Sequence, residues 1–503
     1  MSNDNLYARF AANWRGDDVF LTTPEGDRLT YAALDTLSAQ VADCLVSFGV
    51  GVGDRVSVQT GKSVDYVLLY LGCLRGGFVF HPLNPAYTRS ELEYFFADAE
   101  PALIVCDPDN PSHAADVGAT LGVRNILTLR GDGSGTFRDA YRQAPGRHPV
   151  LDRDGDDLAA LLYSSGTTGQ PKGIPLTHAN IGINAAELSA AWGFRRDDVL
   201  LHALPMFHTH GLFIALTCTL MSGSLVRYLA RFDADQVIDE LSDATVMMGV
   251  PTYYTRLLAN PRFDAAVCRG IRLFTSGSAP LREDTFHEFT ARTGHAIVER
   301  YGMTETVILT TNPLDGERRA GTVGLPLPSV ELRIADPGDA PLPDGEVGRI
   351  QVRGPNVFHE YWRKPDKTAE DFTADGFFNT GDQGRIDDGY VSIVGRAKDL
   401  IISGGLNVYP IEVEQVLNEC EGVSEAAVIG VPHADFGEAV VAVCIGDADT
   451  LEEANVRQFA RERLAAFKLP KRVIAVDDLP RNAMGKVQKN LLRERFAGLF
   501  ADA

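Results

Sequence analysis

The run Tyr163-Ser-Ser-Gly-Thr-Thr-Gly-Gln-Pro-Lys-Gly173 gathers hydroxyls, glycines and one lysine into a turn-rich stretch. Its chemistry suits an anion. Gly166, Gly169 and Gly173 let the backbone take positive φ and turn N–H groups toward phosphate, Ser164, Ser165, Thr167 and Thr168 add hydroxyl donors, and Lys172 adds charge. The spacing is not that of a Walker A loop, which would place Ser or Thr directly after the lysine, where Gly173 stands. A flexible Ser/Gly linker has a similar composition. It would not need the Pro-Lys-Gly ending or the apolar segment Leu158-Ala-Ala-Leu-Leu162 that leads in.

Other polar turns follow apolar segments downstream: Gly277-Ser-Ala279, Glu299-Arg-Tyr-Gly-Met-Thr-Glu-Thr306, and Phe377-Phe-Asn-Thr-Gly-Asp382. The carboxyl ends of strands are where α/β proteins gather ligands. A carboxylate such as Glu305 is the natural bridge between Mg2+ and phosphates. His208 and His210 end the apolar run from Val199, expected as one strand, and i, i+2 spacing there would point both to one face. They read as metal ligands, as core histidines or as the lining of a substrate tunnel; no third ligand at zinc spacing is nearby. Arg256 and Arg300 lie in or beside these segments, and an arginine fork is suited to pair with a carboxylate of a ligand. The plainer alternative pairs them with structural acids such as Glu299 or Asp284.

These turns must be positioned by a large scaffold. At 503 residues, 45% hydrophobic and 23% charged, the chain is expected to be globular with two or more domains. The formal charge of −21 argues against nucleic acid or an anionic membrane as partner, leaving anionic substrates to local positive sites. The seven cysteines are scattered without C-x-x-C spacing and read as reduced core residues of a cytoplasmic protein. No export signal or membrane span is expected. Helix and strand patterns alternate: a helix that opens at Leu29–Leu34, runs through Val41, Leu45 and Val46 and stops at Gly49 and Gly51, a strand Arg55–Gln59, a helix Val64–Leu74 and a strand at Ala102–Cys106. Residues 107–157 are expected to be a surface excursion. After residue 398 the pattern becomes compact β and α, with strands Ala426–Val431 and Ala439–Cys444 and a helix Val456–Leu464.

Taken in order, these motifs resemble the adenylate-forming superfamily, which comprises acyl-CoA synthetases, peptide-synthetase adenylation domains and firefly-type luciferases. Ser164 stands where the family's usual residue is Thr, which keeps the hydroxyl. The resemblance covers essentially the whole chain. It implies a multi-domain α/β (α+β) fold with a large N-terminal domain (1–395) of layered helix/sheet subdomains, a hinge (396–398) and a small mobile α+β C-terminal domain (399–503). It also implies an acid–thiol ligase that uses ATP, CoA and Mg2+. Residue by residue, the phosphate loop Ser164, Ser165, Gly166, Thr167, Thr168, Gly169 and Lys172 would hold ATP with Gly277, Ser278, Ala279, Glu299, Tyr301, Gly302, Met303 and Thr304. Tyr301 would stack on adenine, Asp382 and Arg396 would hold the ribose, Glu305 would bind Mg2+, and Lys486 would reach the reacting phosphate. His208 would gate the thiol tunnel, Lys398 would be the hinge, and Gly404 and Gly405 would serve the thioester step.

Within the family, HTHG, VPTYYTR and ERYGMTET resemble the members that activate malonate, with Arg256 and Arg300 on the second carboxylate. Thr209 and Ile308 would border the central carbon and leave methylmalonate a weaker substrate. Arg231, Lys468 and Lys471 are candidates for the CoA nucleotide. The resemblance also makes Lys486 a target for a lysine acetyltransferase, since acetylation removes its charge. A ligase for a short monocarboxylic or aryl acid is the main alternative, and a catalytically silent acyl- or nucleotide-binding protein the alternative of another class. Retained Lys486 and Glu305 speak against the latter. An adenylation domain would carry an acid for an α-amino group where Phe207-His208 stands, and a luciferase would need a large apolar pocket that two arginines would spoil.

Overall fold

The computed structural model describes residues 3–164, 171–404, 406–433, 435–446, 451–482 and 485–500. The chain divides into two compact units: Met1–Ala320 with Gly324–Glu331 and Arg353–Phe372, and Gly321–Val323 with Leu332–Val352 and Thr373–Ala503. The strands Phe378–Asp387 and Tyr390–Arg396 therefore group with the C-terminal part of the chain.

The first unit carries two large, mainly parallel sheets. One orders its strands Asn125–Thr128, Leu103–Cys106, Arg55–Gln59, Val79–Pro82, Leu158–Ser164 and Lys172–Thr177. All pairs are parallel except the last, the antiparallel hairpin that carries the phosphate loop, with Ser164 opposite Lys172. The strand Val79–Pro82 and the helix Val64–Gly76 are buried almost throughout, the pattern of a parallel sheet covered on both faces. The helix starts where the Ser63 side chain accepts the Tyr66 N–H and stops at Gly77, whose φ of 68° favours a residue without Cβ. Residues 107–157 are not the loose excursion expected. They hold helices Ala114–Thr120 and Thr136–Arg142 and the edge strand Asn125–Thr128. Clustered Gly, Asp and Pro residues mask that strand in the sequence, although its pairing with Leu103–Cys106 buries Leu127.

The other sheet runs Leu325–Pro326, Thr310–Thr311, Val298–Tyr301, Leu273–Ser276, Val246–Gly249, Val199–His202, Leu225–Tyr228, Val19–Thr22 and Arg28–Thr30. Its interior pairs are parallel, so their carboxyl ends share one edge. A core including Met247, Tyr254, Leu257, Phe274, Phe286 and Phe289 covers one face and fixes the strand ends.

The second unit builds a four-stranded antiparallel sheet ending in the hairpin Phe378–Asp387/Tyr390–Arg396, and a five-stranded sheet around Val423–His433 and Gly437–Gly446. The helix Glu453–Arg461 packs Val456 and Ala460 into the second sheet's core. Among the described residues, no helix is long and apolar enough to cross a membrane. All seven cysteines are buried and unpaired.

Candidate active site

Strands Val246–Gly249, Leu273–Ser276 and Val298–Tyr301 lie in parallel register, with Gly249 opposite Ser276 and Ser276 opposite Glu299. Successive residues of a strand point to opposite faces, so Glu299 and Arg300 part company. Glu299 turns to the backbone of the 277–281 turn, where its Oε1 accepts the Leu281 N–H at 3.0 Å, and burial lifts its pKa to about 8. Arg300 is only 4% exposed, and its Nε and Nη2 have no hydrogen-bond partner among the described residues. Gly277 makes room for it, because a Cβ there would lie 2.5 Å from the guanidinium carbon. Burial pulls the Arg300 pKa down to about 9, which leaves it a cation at neutral pH. Thr209 Oγ1, His210 Nε2 and Thr275 Oγ1, on the neighbouring loop and strand, are likewise buried without partners. A buried cation without an anion is costly, and buried polar atoms are normally satisfied. This constellation can take up an anionic ligand rich in hydrogen-bond acceptors.

The histidine segment departs from the expected strand. The strand stops at His202, whose Nε2 lies 2.9 Å from Gly211 O and whose Nδ1 lies 2.8 Å from Lys62 Nζ. The chain then loops into a π-helix, His210–Leu216. Single-turn π segments are frequent at functional sites. His208 is half-buried and its Nδ1 accepts the His210 N–H at 3.3 Å; burial, then Arg300, pulls its pKa to about 4. His210 Nδ1 lies 3.2 Å from Ser278 Oγ, and Ser278 is held at a φ of 72°, a strained value for a residue with a side chain. Phe207 lines a cavity of about 220 Å3 with Lys62, Tyr66, Arg231, Phe232 and Tyr253.

The loop from Tyr301 to Ile308 is equally constrained. A Cβ on Gly302 would lie 1.9 Å from Val307 O, and the β-branched Val307 sits at a φ of 56°. Thr306 and Met303 bond each other, and Asn184 and Asn356 both donate to Ile308 O, which fixes the buried Ile308. Glu305 is thereby presented on a rigid turn. Its Oε1 accepts from Ser164 Oγ at 3.2 Å, and its backbone oxygen accepts the Phe358 N–H. Burial, with Glu305 and Asp371 beside it, pushes the Tyr361 hydroxyl pKa up. Lys172 is half-buried, with its Nζ 2.9 Å from Asp371 Oδ2 and 4.1 Å from the centre of the Tyr361 ring.

The second unit gathers its own cluster. Asp382 is buried and pairs with Arg396 at 3.1 Å across the hairpin. Lys486 is half-buried; burial, and then Arg396, bring its pKa down to about 8, with Asp382 and Asp399 opposing and Lys398 reinforcing. Lys398 is exposed on a short 3-10 turn. Gly404 sits at a φ of 59° with its N–H bonded to Phe436 O.

Thus Thr209, Ile308, His208, Arg300, Gly277, Ser278, Ala279 and the 299–305 segment belong to one unit, as do Asp382, Arg396, Lys398, Gly404 and Lys486 to the other. Ser165, Gly166, Thr167, Thr168, Gly169 and Gly405 lie outside the described residues. Arg256 and Arg300 differ in setting: Arg256 is exposed in the last turn of the helix Pro251–Leu258, whose Tyr254, Leu257 and Leu258 face the core, whereas Arg300 is buried. Thr275, on the Arg300 face, and Tyr361, beside Glu305, were not singled out from sequence; Tyr361 sits in a segment with no motif of its own.

Comparison with known proteins follows the same division. The AMP-binding enzyme family profile matches residues 7–362, and that of the AMP-binding enzyme C-terminal domain matches residues 412–486. A malonate–CoA ligase of Arabidopsis thaliana is 38% identical over 490 residues, covering 89% of this chain and 79% of that protein. A feruloyl-CoA synthase of an Amycolatopsis species is 36% identical over 477 residues, covering 94% of each. The crystal structure of ATP-bound MatB from Rhodopseudomonas palustris superposes with a TM-score of 0.96 at 51% identity, covering 99% of this chain and 100% of that one.

Proposed function

Because the chain belongs to the family of AMP-binding enzymes, we propose that it is an AMP-forming acid–CoA ligase that converts malonate to malonyl-CoA. The observation that carries the substrate is Arg300, a buried guanidinium with two unpaired nitrogens at the carboxyl end of a strand. A monocarboxylic acid activated at its one carboxylate would leave that cation uncompensated; a second carboxylate pairs it through a bidentate fork. The Arabidopsis thaliana malonate–CoA ligase supports the same reading. An aryl acid is the second reading, favoured by the feruloyl-CoA synthase relative and opposed by Arg300.

A free carboxylate is a poor acyl donor because oxide is a very bad leaving group. In the first half-reaction the substrate carboxylate attacks the α-phosphate of ATP and pyrophosphate leaves, with charge and positioning supplying most of the catalysis. Lys486 contributes positive charge to that phosphate, Asp382 and Arg396 hold the ribose, and Thr304 and the Ser164 loop donate to phosphate oxygens. Tyr301, with Gly277, Ser278 and Ala279, receives the adenine. The hard oxygens of Glu305 and its hydroxyl neighbour Ser164 fit Mg2+, an ion commonly held by one carboxylate together with substrate phosphates. Bound there, it would neutralise phosphate charge. In the second half-reaction the thiol of CoA attacks the acyl-adenylate and AMP departs. His208, neutral above about pH 4, gates the thiol's approach. A hinge at Lys398 exchanges Lys486 for the Gly404-Gly405 loop between the two steps, with the mobile domain beginning at residue 399.

Thr209 and Ile308 flank the carbon between the carboxylates, and packing alone can disfavour one added methyl by about 1–3 kcal/mol, making methylmalonate the poorer substrate. Acetylation of Lys486 would silence adenylation. The buried unpaired cysteines support a reducing compartment, the cytoplasm. The test is malonate-dependent exchange of pyrophosphate into ATP, followed by mass detection of malonyl-CoA when CoA is added. No exchange with malonate, against strong exchange with an aryl acid, would overturn the substrate assignment.

A further inference from the structure

His210 is buried, and its two ring nitrogens differ in a way the mechanism above does not use. Nδ1 faces Ser278 Oγ at 3.2 Å, whereas Nε2 has no partner among the described residues. Holding Ser278 at a φ of 72° needs a return, and its hydroxyl contact with the imidazole is one. If the hydroxyl donates to Nδ1, the proton of a neutral ring sits on Nε2, which becomes a buried donor without a partner among the described residues. The charged and titratable groups that act on this ring are Arg300, His208 and His202. All are cationic or neutral, so nothing there stabilises an imidazolium, and burial keeps His210 neutral. Thr209 Oγ1, Thr275 Oγ1 and two guanidinium nitrogens of Arg300 are also buried without partners among the described residues.

We propose that His210 is a specificity-determining residue, whose Nε2–H donates to the same distal carboxylate that Arg300 pairs with. This rests on the dicarboxylate reading of the site. Arg300 supplies the charge; His210 supplies a directed donor that a monocarboxylic acid leaves unsatisfied. Discrimination then comes from an unpaired buried donor as well as from an unpaired cation. A site built to hydrogen-bond a substrate group rejects analogues lacking that group far better than packing does.

The experiment compares malonate with isovalerate, in which two methyls replace the distal carboxylate oxygens, by ATP- and CoA-dependent AMP release. It uses the full chain and the variants His210→Gln, His210→Asn and His210→Val. The glutamine amide nitrogen can reach the place of Nε2, while that of asparagine falls near Nδ1. Loss of one hydrogen bond to a charged group corresponds to roughly a ten- to hundredfold fall in kcat/KM. The Val and Asn variants should show that fall for malonate, expressed mainly in KM, with isovalerate unchanged or improved; Gln should recover most of it. Equal losses on both acids with no rescue by Gln would make His210 structural and overturn the inference, as would indifference of all three variants on malonate. A wild-type chain that does not use malonate at all would instead defeat the dicarboxylate reading on which the inference stands.

Discussion

Replacing Arg300 with methionine should make the protein more stable and the enzyme much worse. Burial lowers the guanidinium pKa from 12.5 to about 9, which at about 1.4 kcal/mol per pH unit caps the cost of the buried charge near 5 kcal/mol. Relaxation of the surroundings reduces that cap, and about 2–3 kcal/mol of relief is the working figure. The sign follows from the depressed pKa. The charged form is penalised in the folded state, the full penalty applies below about pH 9, and it fades as pH rises from there toward 12.5. Arg300→Met removes it at neutral pH and keeps most of the side-chain volume, so the apparent unfolding temperature of the first unit should rise by a few degrees. In the same variant kcat/KM for malonate should fall by about 10^2–10^3, the usual loss when one partner of a desolvated charge pair is truncated. Malonate should raise the unfolding temperature of the wild type and leave the variant unmoved. Thermal unfolding with and without malonate, combined with AMP release, reads all three effects. A variant that unfolds earlier while retaining wild-type malonate turnover would refute the reasoning and make Arg300 a structural cation.

Gly277→Ala should act through the same group, because the new Cβ would lie 2.5 Å from the Arg300 guanidinium carbon; KM for malonate should rise about tenfold or more in the AMP-release assay. For Lys486, the pKa near 8 means the cation is present below that pH and lost above it, so the rate of pyrophosphate exchange should decline as pH rises through about 8. Lys486→Gln should abolish exchange yet still pass a supplied malonyl-adenylate to CoA; equal loss of both half-reactions would contradict the role given to this lysine. Glu305→Gln should raise the Mg2+ concentration needed for half-maximal exchange by about tenfold or more, and an unchanged Mg2+ titration would remove Glu305 from the metal site.

The order of the chemistry-bearing turns was legible in the sequence because backbone-hugging glycines and strand-end polar residues are local signals. Gly277 and Gly302 are required by contacts of 2.5 Å and 1.9 Å that any side chain would meet, and both stand inside motifs that the sequence displays. Long-range geometry was less legible. Arg256 and Arg300 look equivalent along the chain, yet one lies outward on a helix and the other is buried on a strand. Histidines 208 and 210 read as one face of a strand, but the strand ends at His202 and a π-helix begins at His210, so the two rings have different partners. The strand at Asn125–Thr128 escaped notice because its turn-rich flanks dominate the local pattern and only its pairing buries it. Lys172 announced phosphate chemistry, while its partner Asp371 lies far along the chain.

The central claim is that the orphaned Arg300 belongs to a second carboxylate, and the most direct measurement is AMP release, dependent on ATP and CoA, with malonate against isovalerate, butyrate and benzoate. Malonate should lead in kcat/KM by orders of magnitude, and that lead should collapse in Arg300→Met. A monocarboxylic acid in the lead, with Arg300→Met unchanged on it, would contradict the dicarboxylate site while leaving the chain in the same enzyme family.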